Sequence, residues 1–188
     1  MRVRHFLISL TLAVLCCLPA VHATTVVRFA FDSLCSRAET IAFVRCTSTA
    51  SVRDTASGRI ATRTRLKVLR TIKGDPGDEI VLALPGGQVD GDRMVVPGVP
   101  QFSIGQETVI FLTAAEEGGY PWPLGLDQGC YRARTDDKGQ RSVMLQSGVT
   151  PLPQGALYKP TSHKPFSAPL GQFLLDIQRA LETPTGTR

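Results

Sequence analysis

The stretch Ile60-Ala61-Thr62-Arg63-Thr64-Arg65-Leu66-Lys67-Val68 decides the fold. Ile60, Thr62, Thr64, Leu66 and Val68 fall on one side; Ala61, Arg63, Arg65 and Lys67 fall on the other. Successive side chains of an extended chain point to opposite faces, so this alternation describes a strand with one face on a core and one in water. A strand needs neighbours, and the flanking sequence supplies them. Upstream, Ile41 to Cys46 is apolar and β-branched or aromatic apart from Arg45, as a core strand should be. Between the two, Thr47 to Gly58 is rich in Ser, Thr, Asp and Gly and reads as a turn. Downstream, the turn Lys73-Gly74-Asp75-Pro76-Gly77 leads to a strand over Glu79 to Leu84, ended by Pro85-Gly86-Gly87.

Working outward, Glu107 to Leu112 is a strand that is fully apolar after its first two residues. Tyr120 to Leu126 and Cys130 to Arg134 read as shorter strands. Asp136-Asp137-Lys138-Gly139 is a hairpin turn leading into Ser142 to Gln146. Thr25 to Phe31 alternates weakly and is a further candidate strand, after which Asp32 or Ser33 caps a short helix through about Ala38. Residues 151–165 form a proline-rich connection. Ser167 then caps a helix over about 167–182, with Pro169 in its first turn. Leu170, Phe173, Leu174, Ile177 and Leu181 share one face of that helix, which should close over the sheet. Residues 183–188 read as a flexible tail. Six or seven short strands with turn signals and one terminal helix predict a mainly β domain over residues 24–182, in the form of a small barrel.

The N-terminus has the three parts of a cleavable secretory signal over residues 1–23. Arg2, Arg4 and His5 make a basic start, Phe6 to Leu18 is an uncharged apolar run, and Val21-His22-Ala23 suits a cleavage site. The run is 13 residues long, whereas a membrane span needs about 20. The expectation is export to the periplasm or beyond, without a transmembrane anchor after cleavage. The chain of 188 residues carries a net charge of +5, and the leader removes Arg2 and Arg4 from that balance. The mild surplus that remains does not mark a nucleic-acid binder. Asparagine is absent, which excludes N-linked glycosylation.

Cys35, Cys46 and Cys130 remain after cleavage. An oxidising compartment favours pairing two of three, and Cys46–Cys130 is the expected bridge because both lie in strand-like segments that could be neighbours. Sequence alone leaves the connectivity open.

Residues 85–105 hold five glycines and three prolines. A loop of that length is often functional, and glycines let a backbone approach a ligand closely. Gly86, Gly87, Asp90, Asp92, Pro97, Gly98 and Phe102 are the candidate binding residues there. The competing reading is a packed structural loop with Val95, Val96 and Phe102 tucked beneath it. Asp90 and Asp92 flank Gly91, but two carboxylates fall short of calcium's six to eight oxygens. Gln128 and Glu107 either satisfy backbone groups of the loop or touch a ligand. Trp122, set between Pro121 and Pro123, is either packed or an exposed binding aromatic. Arg53, Arg63, Arg65 and Lys67 form a basic stripe without interleaved aromatics, which reads as a solvated outer face. His163 is the only histidine beyond the leader, which leaves neither a Cys–His pair of good geometry nor a histidine-rich zinc site. No hydrolase elbow, phosphate loop or dinucleotide fingerprint occurs, and no cofactor or metal is implied.

Several of these features recur together. Ile41 to Cys46, Lys73-Gly74, Pro85-Gly86-Gly87, Pro97-Gly98-Val99-Pro100-Gln101-Phe102, Gly105-Gln106-Glu107 and Gly125-Leu126-Asp127-Gln128-Gly129 follow in order. Over roughly residues 25–134 the chain resembles a group of exported bacterial proteins of uncharacterised function, although Val44 stands where that group usually has glycine. It is also distantly similar to the OB-type barrel of tissue inhibitors of metalloproteinases and netrin-like modules. That resemblance implies an OB-like closed or partly open barrel. It does not carry the inhibitors' chemistry, which needs a disulfide-bonded cysteine at the mature N-terminus; here Thr24-Thr25 starts the mature chain. The functional expectation is a non-catalytic exported domain that engages a protein or envelope partner through the Gly/Pro loop. A secreted enzyme with an atypical site and a purely structural envelope protein are the alternatives.

Overall fold

Residues 29–55, 57–115, 119–145 and 167–182 are described by a computed structural model. The signal peptide, the proline-rich connection and the tail expected from the sequence lie outside the described residues, as does most of the strand expected over 25–31. Phe31 itself opens a helix.

The first element of the described residues is α1 (Phe31–Arg37). Its N-cap is Ala30, with no side-chain cap, so neither Asp32 nor Ser33 serves there. Asp32 sits instead in the first turn, where a carboxylate complements the helix dipole. The carbonyls at the other end are met from afar: Lys73 Nζ donates to Cys35 O at 3.1 Å and to Ser36 O at 2.8 Å. The next residue, Gly74, has φ +77, and a Cβ there would lie 2.7 Å from Glu39 O. The Lys-Gly step visible in the sequence is therefore the clasp between α1 and the end of the strand that carries it.

That strand is β2 (Ile60–Lys73), which pairs along its length with β1 (Thr40–Arg53). Both strands have 14 residues, longer than the sequence pattern suggested. Ser48 to Arg53, expected in a turn, continue β1 against Ile60 to Arg65, and the turn shrinks to residues 54–59. Serine and threonine looked like turn residues, but β-branched threonine fits a strand when a partner is available. β3 (Glu79–Pro85) pairs with β2, and β6 (Glu107–Leu112) pairs with the other side of β1. Between them the Gly/Pro loop folds into a small hairpin, β4 (Gly87–Val89) and β5 (Asp92–Met94). Its turn, Asp90-Gly91, has φ of 51° and 87°, the left-handed pair that an Asp-Gly hairpin turn requires.

Tyr120 to Leu126 is not a strand. One bridge joins Pro123 to Leu112, and a 3-10 turn then spans Leu126–Gly129. The prolines at 121 and 123 have no N–H to give a ladder. β7 (Cys130–Thr135) and β8 (Arg141–Leu145) form the expected hairpin. Ser167 does not cap a helix: β9 (Ser167–Pro169) pairs with β8, and α2 (Leu170–Glu182) begins directly after Pro169.

The strands make one antiparallel sheet in the order β3-β2-β1-β6-β7-β8-β9. Among the described residues β3 and β9 are its two edges and do not pair, so of the closed or partly open barrel expected, closure is not formed there; the protein is mainly β. One face carries both helices. Leu34 and Cys35 of α1, Phe111 and Tyr131 of the sheet, and Leu170, Phe173 and Ile177 of α2 share a single buried cluster. Tyr131 and Phe173 rings lie 4.6 Å apart there. The other face gathers Val44, Cys46, Leu66, Leu82, Ile110 and Cys130 into a second cluster, against which Val99 and Phe102 of the loop pack.

No disulfide joins the described cysteines, all of which are buried free thiols. The expected Cys46–Cys130 bridge fails on topology. β6 lies between β1 and β7, which separates them by two strand spacings, about 10 Å, where a disulfide tolerates at most about 7 Å. Cys130 also stands in register with Ile110 and hence with Ala42, four residues away from Cys46 along β1.

A candidate ligand-binding cleft

The second face becomes polar at one end, and a single extra residue causes it. Cys46 pairs with Leu66 and Ser48 with Arg65, which leaves Thr47 as a bulge in β1. Without the bulge, strict alternation would put Ser48, Ala50 and Val52 on the same face as Cys46. With it, Thr49 and Ser51 take that face instead, and Val52 is left 56 % exposed on the other. Thr49 stands opposite Thr64, and Ser51 opposite Thr62. Four hydroxyls thus replace the aliphatic side chains that continue the core further along. Bulges commonly re-aim side chains in this way.

Two of the four hydroxyls hold the loop down. Gln88 N donates to Ser51 Oγ at 3.3 Å, Ser51 Oγ and Thr62 Oγ1 are 2.8 Å apart, and Thr62 Oγ1 donates to Gly86 O at 2.7 Å. Since the Thr62 proton goes to Gly86, the Ser51 proton goes to Thr62. The chain of bonds brings backbone very close: a Cβ on Gly87 would lie 2.3 Å from Ser51 Oγ and 2.4 Å from Thr62 Oγ1. Gly87 has φ +135, which other residues scarcely adopt.

The other two hydroxyls, Thr49 and Thr64, face a cleft of about 400 Å³ between the sheet and the loop. Thr64 is only 2 % exposed, and it lines the cleft from the inner side of β2. Phe102, Pro100 and Leu84 form an apolar wall, and Gln88 and Arg93 stand at the rim. Arg93 makes no ion pair among the described residues, unlike Arg53, which is paired with Asp92 at 2.5 Å. The lining therefore offers hydroxyls, amides, one guanidinium and an apolar wall, groups that hydrogen-bond and pack.

The residues expected at the site divide into three sets. Gly86, Gly87 and Phe102 do line the cleft. Gly98 and Gln128 belong to a separate junction: Gly98 O accepts from Asp127 N at 3.0 Å, and buried Gln128 accepts from Phe29 N at 3.1 Å and donates to Gly125 O at 3.3 Å. Gln128 satisfies the entry to α1. Pro97, Asp90 and Asp92 are exposed on the loop, and Trp122 is 40 % exposed outside the cleft. No group of three or more metal-ligating side chains gathers among the described residues.

Glu107 has a structural task. It accepts from Arg45 at 2.6 Å and also from Arg141, tying β1, β6 and β8 together. The basic stripe is exposed as expected, with Arg65 paired to Glu79 at 2.6 Å and Arg63 over the ring of Tyr120 at 5.6 Å. Burial raises all three thiols. Cys35 is pushed up to about 12, with Asp32 adding to the effect, and Cys130 is pushed well above the usual range, with Asp127 adding. Cys46 moves the same way by burial. None is an activated nucleophile, since reactivity needs the thiolate.

Thr49, Ser51, Thr62, Thr64 and Arg93 escaped the sequence reading. Thr62 and Thr64 did carry a signal, as two hydroxyls on the core side of an alternating strand. Thr49 and Ser51 carried none, because their face depends on the bulge. No family model, curated protein or solved structure matches the chain.

Proposed function

We propose that this is a non-catalytic exported binding domain that takes its ligand, a component of the cell envelope, in the cleft beneath the Gly/Pro loop. The polar floor of the cleft carries the reading. Thr49, Ser51, Thr62 and Thr64 line a space of about 400 Å³ where the sheet face further along is aliphatic, and a hydrogen bond from a ligand to such a hydroxyl contributes about 0.5–1.5 kcal/mol. The latch of Ser51, Thr62 and Gly86 supports the same view, because it holds the loop at a set height over the cleft floor. Loops on a rigid sheet are where recognition residues collect. Export by residues 1–23 is part of the proposal, and so is an OB-type relationship, for which the long bulged β1 and the β1-β2-β3 meander speak.

Native mass spectrometry of the purified protein mixed with fractionated envelope extract tests the reading. Wild type should gain an adduct that Thr64→Val, which removes the hydroxyl and keeps the shape, weakens about fivefold. An adduct of unchanged strength in a folded Thr64→Val variant, or no adduct from any fraction, would overturn it.

A further inference from the structure

We infer that the cleft takes a sugar bearing a carboxylate, a uronic acid unit of an envelope glycan. This rests on the binding reading above and names the chemistry of the ligand. Three features of the lining carry it.

Thr49 and Thr64 stand directly opposite each other on the floor. Each hydroxyl can both donate and accept, which is what a polyol presents in return. A lone carbonyl ligand would use only the donating half of that capacity. Phe102 and Pro100 supply apolar lining beside those hydroxyls. The face of an aromatic ring is electronegative, so it attracts the slightly positive C–H groups on one side of a pyranose. A sugar ring has hydroxyls around its rim and C–H groups on its faces, and the lining repeats that division.

The charge supplies the third feature. Arg93 reaches the rim from β5 without an ion pair among the described residues, and no acidic side chain lines the cleft. Arginine's planar fork matches a carboxylate with two parallel hydrogen bonds. The neighbouring Arg53 is already committed to Asp92, so the free positive charge is confined to Arg93. The cleft volume of about 400 Å³ lies near the lower end of the range of small-molecule pockets, about 300–1,000 Å³. That suits one or two sugar units rather than a folded protein segment.

The probes are D-glucuronic acid, D-glucose, an oligosaccharide of alternating uronic acid units, and an acidic tetrapeptide, each titrated into the purified protein by calorimetry and ligand-observed NMR. Glucuronic acid should bind more tightly than glucose, and Arg93→Gln should weaken it about tenfold, to the level of glucose. Thr64→Val should weaken both sugars about fivefold, while Thr64→Ser, which keeps the hydroxyl, should bind like wild type. Arg93 is on an exposed hairpin, so its variant remains informative if Thr64→Val fails to fold. Equal binding of glucose and glucuronic acid, or acidic-peptide binding with the same dependence on Thr64 and Arg93 and no sugar binding, would overturn the assignment. A Thr64-dependent adduct from envelope extract that is not a sugar would sink this inference alone and leave the binding reading standing. No adduct and no sugar binding would sink both.

Discussion

Gly87→Ala should be among the most damaging single-methyl additions this protein can receive. Gly87 has φ +135, a conformation that costs an alanine about 1–3 kcal/mol. Its new Cβ would sit 2.3 Å from Ser51 Oγ and 2.4 Å from Thr62 Oγ1, closer than those atoms can tolerate. Both hydroxyls must turn away. That breaks the bonds from Gln88 N to Ser51, between Ser51 and Thr62, and from Thr62 to Gly86 O. At about 1 kcal/mol each, the three bonds and the strain together come to roughly 4–6 kcal/mol if the hairpin stays docked. If β4 and β5 lift off instead, the loss is limited to whatever holds them down. Gly91→Ala is the control, since Gly91 lies in the same hairpin with φ +87 and an added methyl there would meet nothing within 4 Å. Urea unfolding should rank Gly87→Ala below Gly91→Ala by about 2–3 kcal/mol. Hydrogen exchange at Gln88 N–H should accelerate only in Gly87→Ala. Ser51→Ala should also be milder on the Gly87→Ala background than alone, because the bonds it removes are already broken. Equal stability of the two glycine variants, or unchanged protection of Gln88, would refute the latch.

Ile177 is wholly buried where α2 meets the sheet; Ile177→Ala should destabilise by about 2–5 kcal/mol in urea unfolding, with cleft binding retained in the fraction still folded. Cys35, Cys46 and Cys130 should resist a thiol reagent at pH 8 in the native protein and react once it is unfolded, and intact mass should show no loss of two hydrogens among them. Their pH dependence has a definite sign. The native state keeps its thiol protons while the unfolded chain loses them near pH 9, so stability should begin to fall above about pH 9 and continue falling towards pH 12, the level of Cys35. Glu107→Gln should weaken the link between Arg45 and Arg141 and lower stability by about 1 kcal/mol at low salt, with a smaller difference at high salt.

Local alternation was a sound guide wherever one face of a strand met a core. Leu66 lies buried where period two placed it, Thr108 to Leu112 are buried without a break as a fully apolar strand should be, and Leu170, Phe173, Leu174 and Ile177 form the buried face of α2. Turn chemistry was a weaker guide. Thr47 to Arg53 looked like a turn because hydroxyl residues serve turns and strands alike, and only the presence of β2 alongside selects the strand. Ser167 and Pro169 looked like a helix start because that pair suits a helix N-terminus, yet β8 offered a free edge that Ser167 to Pro169 could join. Lys73-Gly74 was visible as a motif without a reason; the reason is α1, whose last carbonyls Lys73 meets.

By itself the sequence determined the β class, the amphipathic last helix and the Asp-Lys-Gly hairpin. These follow from spacing and side-chain chemistry within a few residues, and such forces act wherever the segment goes. The tertiary structure alone decided that β3 and β9 do not pair, that β6 separates Cys46 from Cys130, and that Thr49 and Ser51 join Thr62 and Thr64 beneath the loop. Each of those outcomes depends on which strands become neighbours and in what register. A one-residue bulge at Thr47 reverses the faces of everything beyond it in β1, and nothing in the local pattern of Cys46 to Val52 announces that reversal.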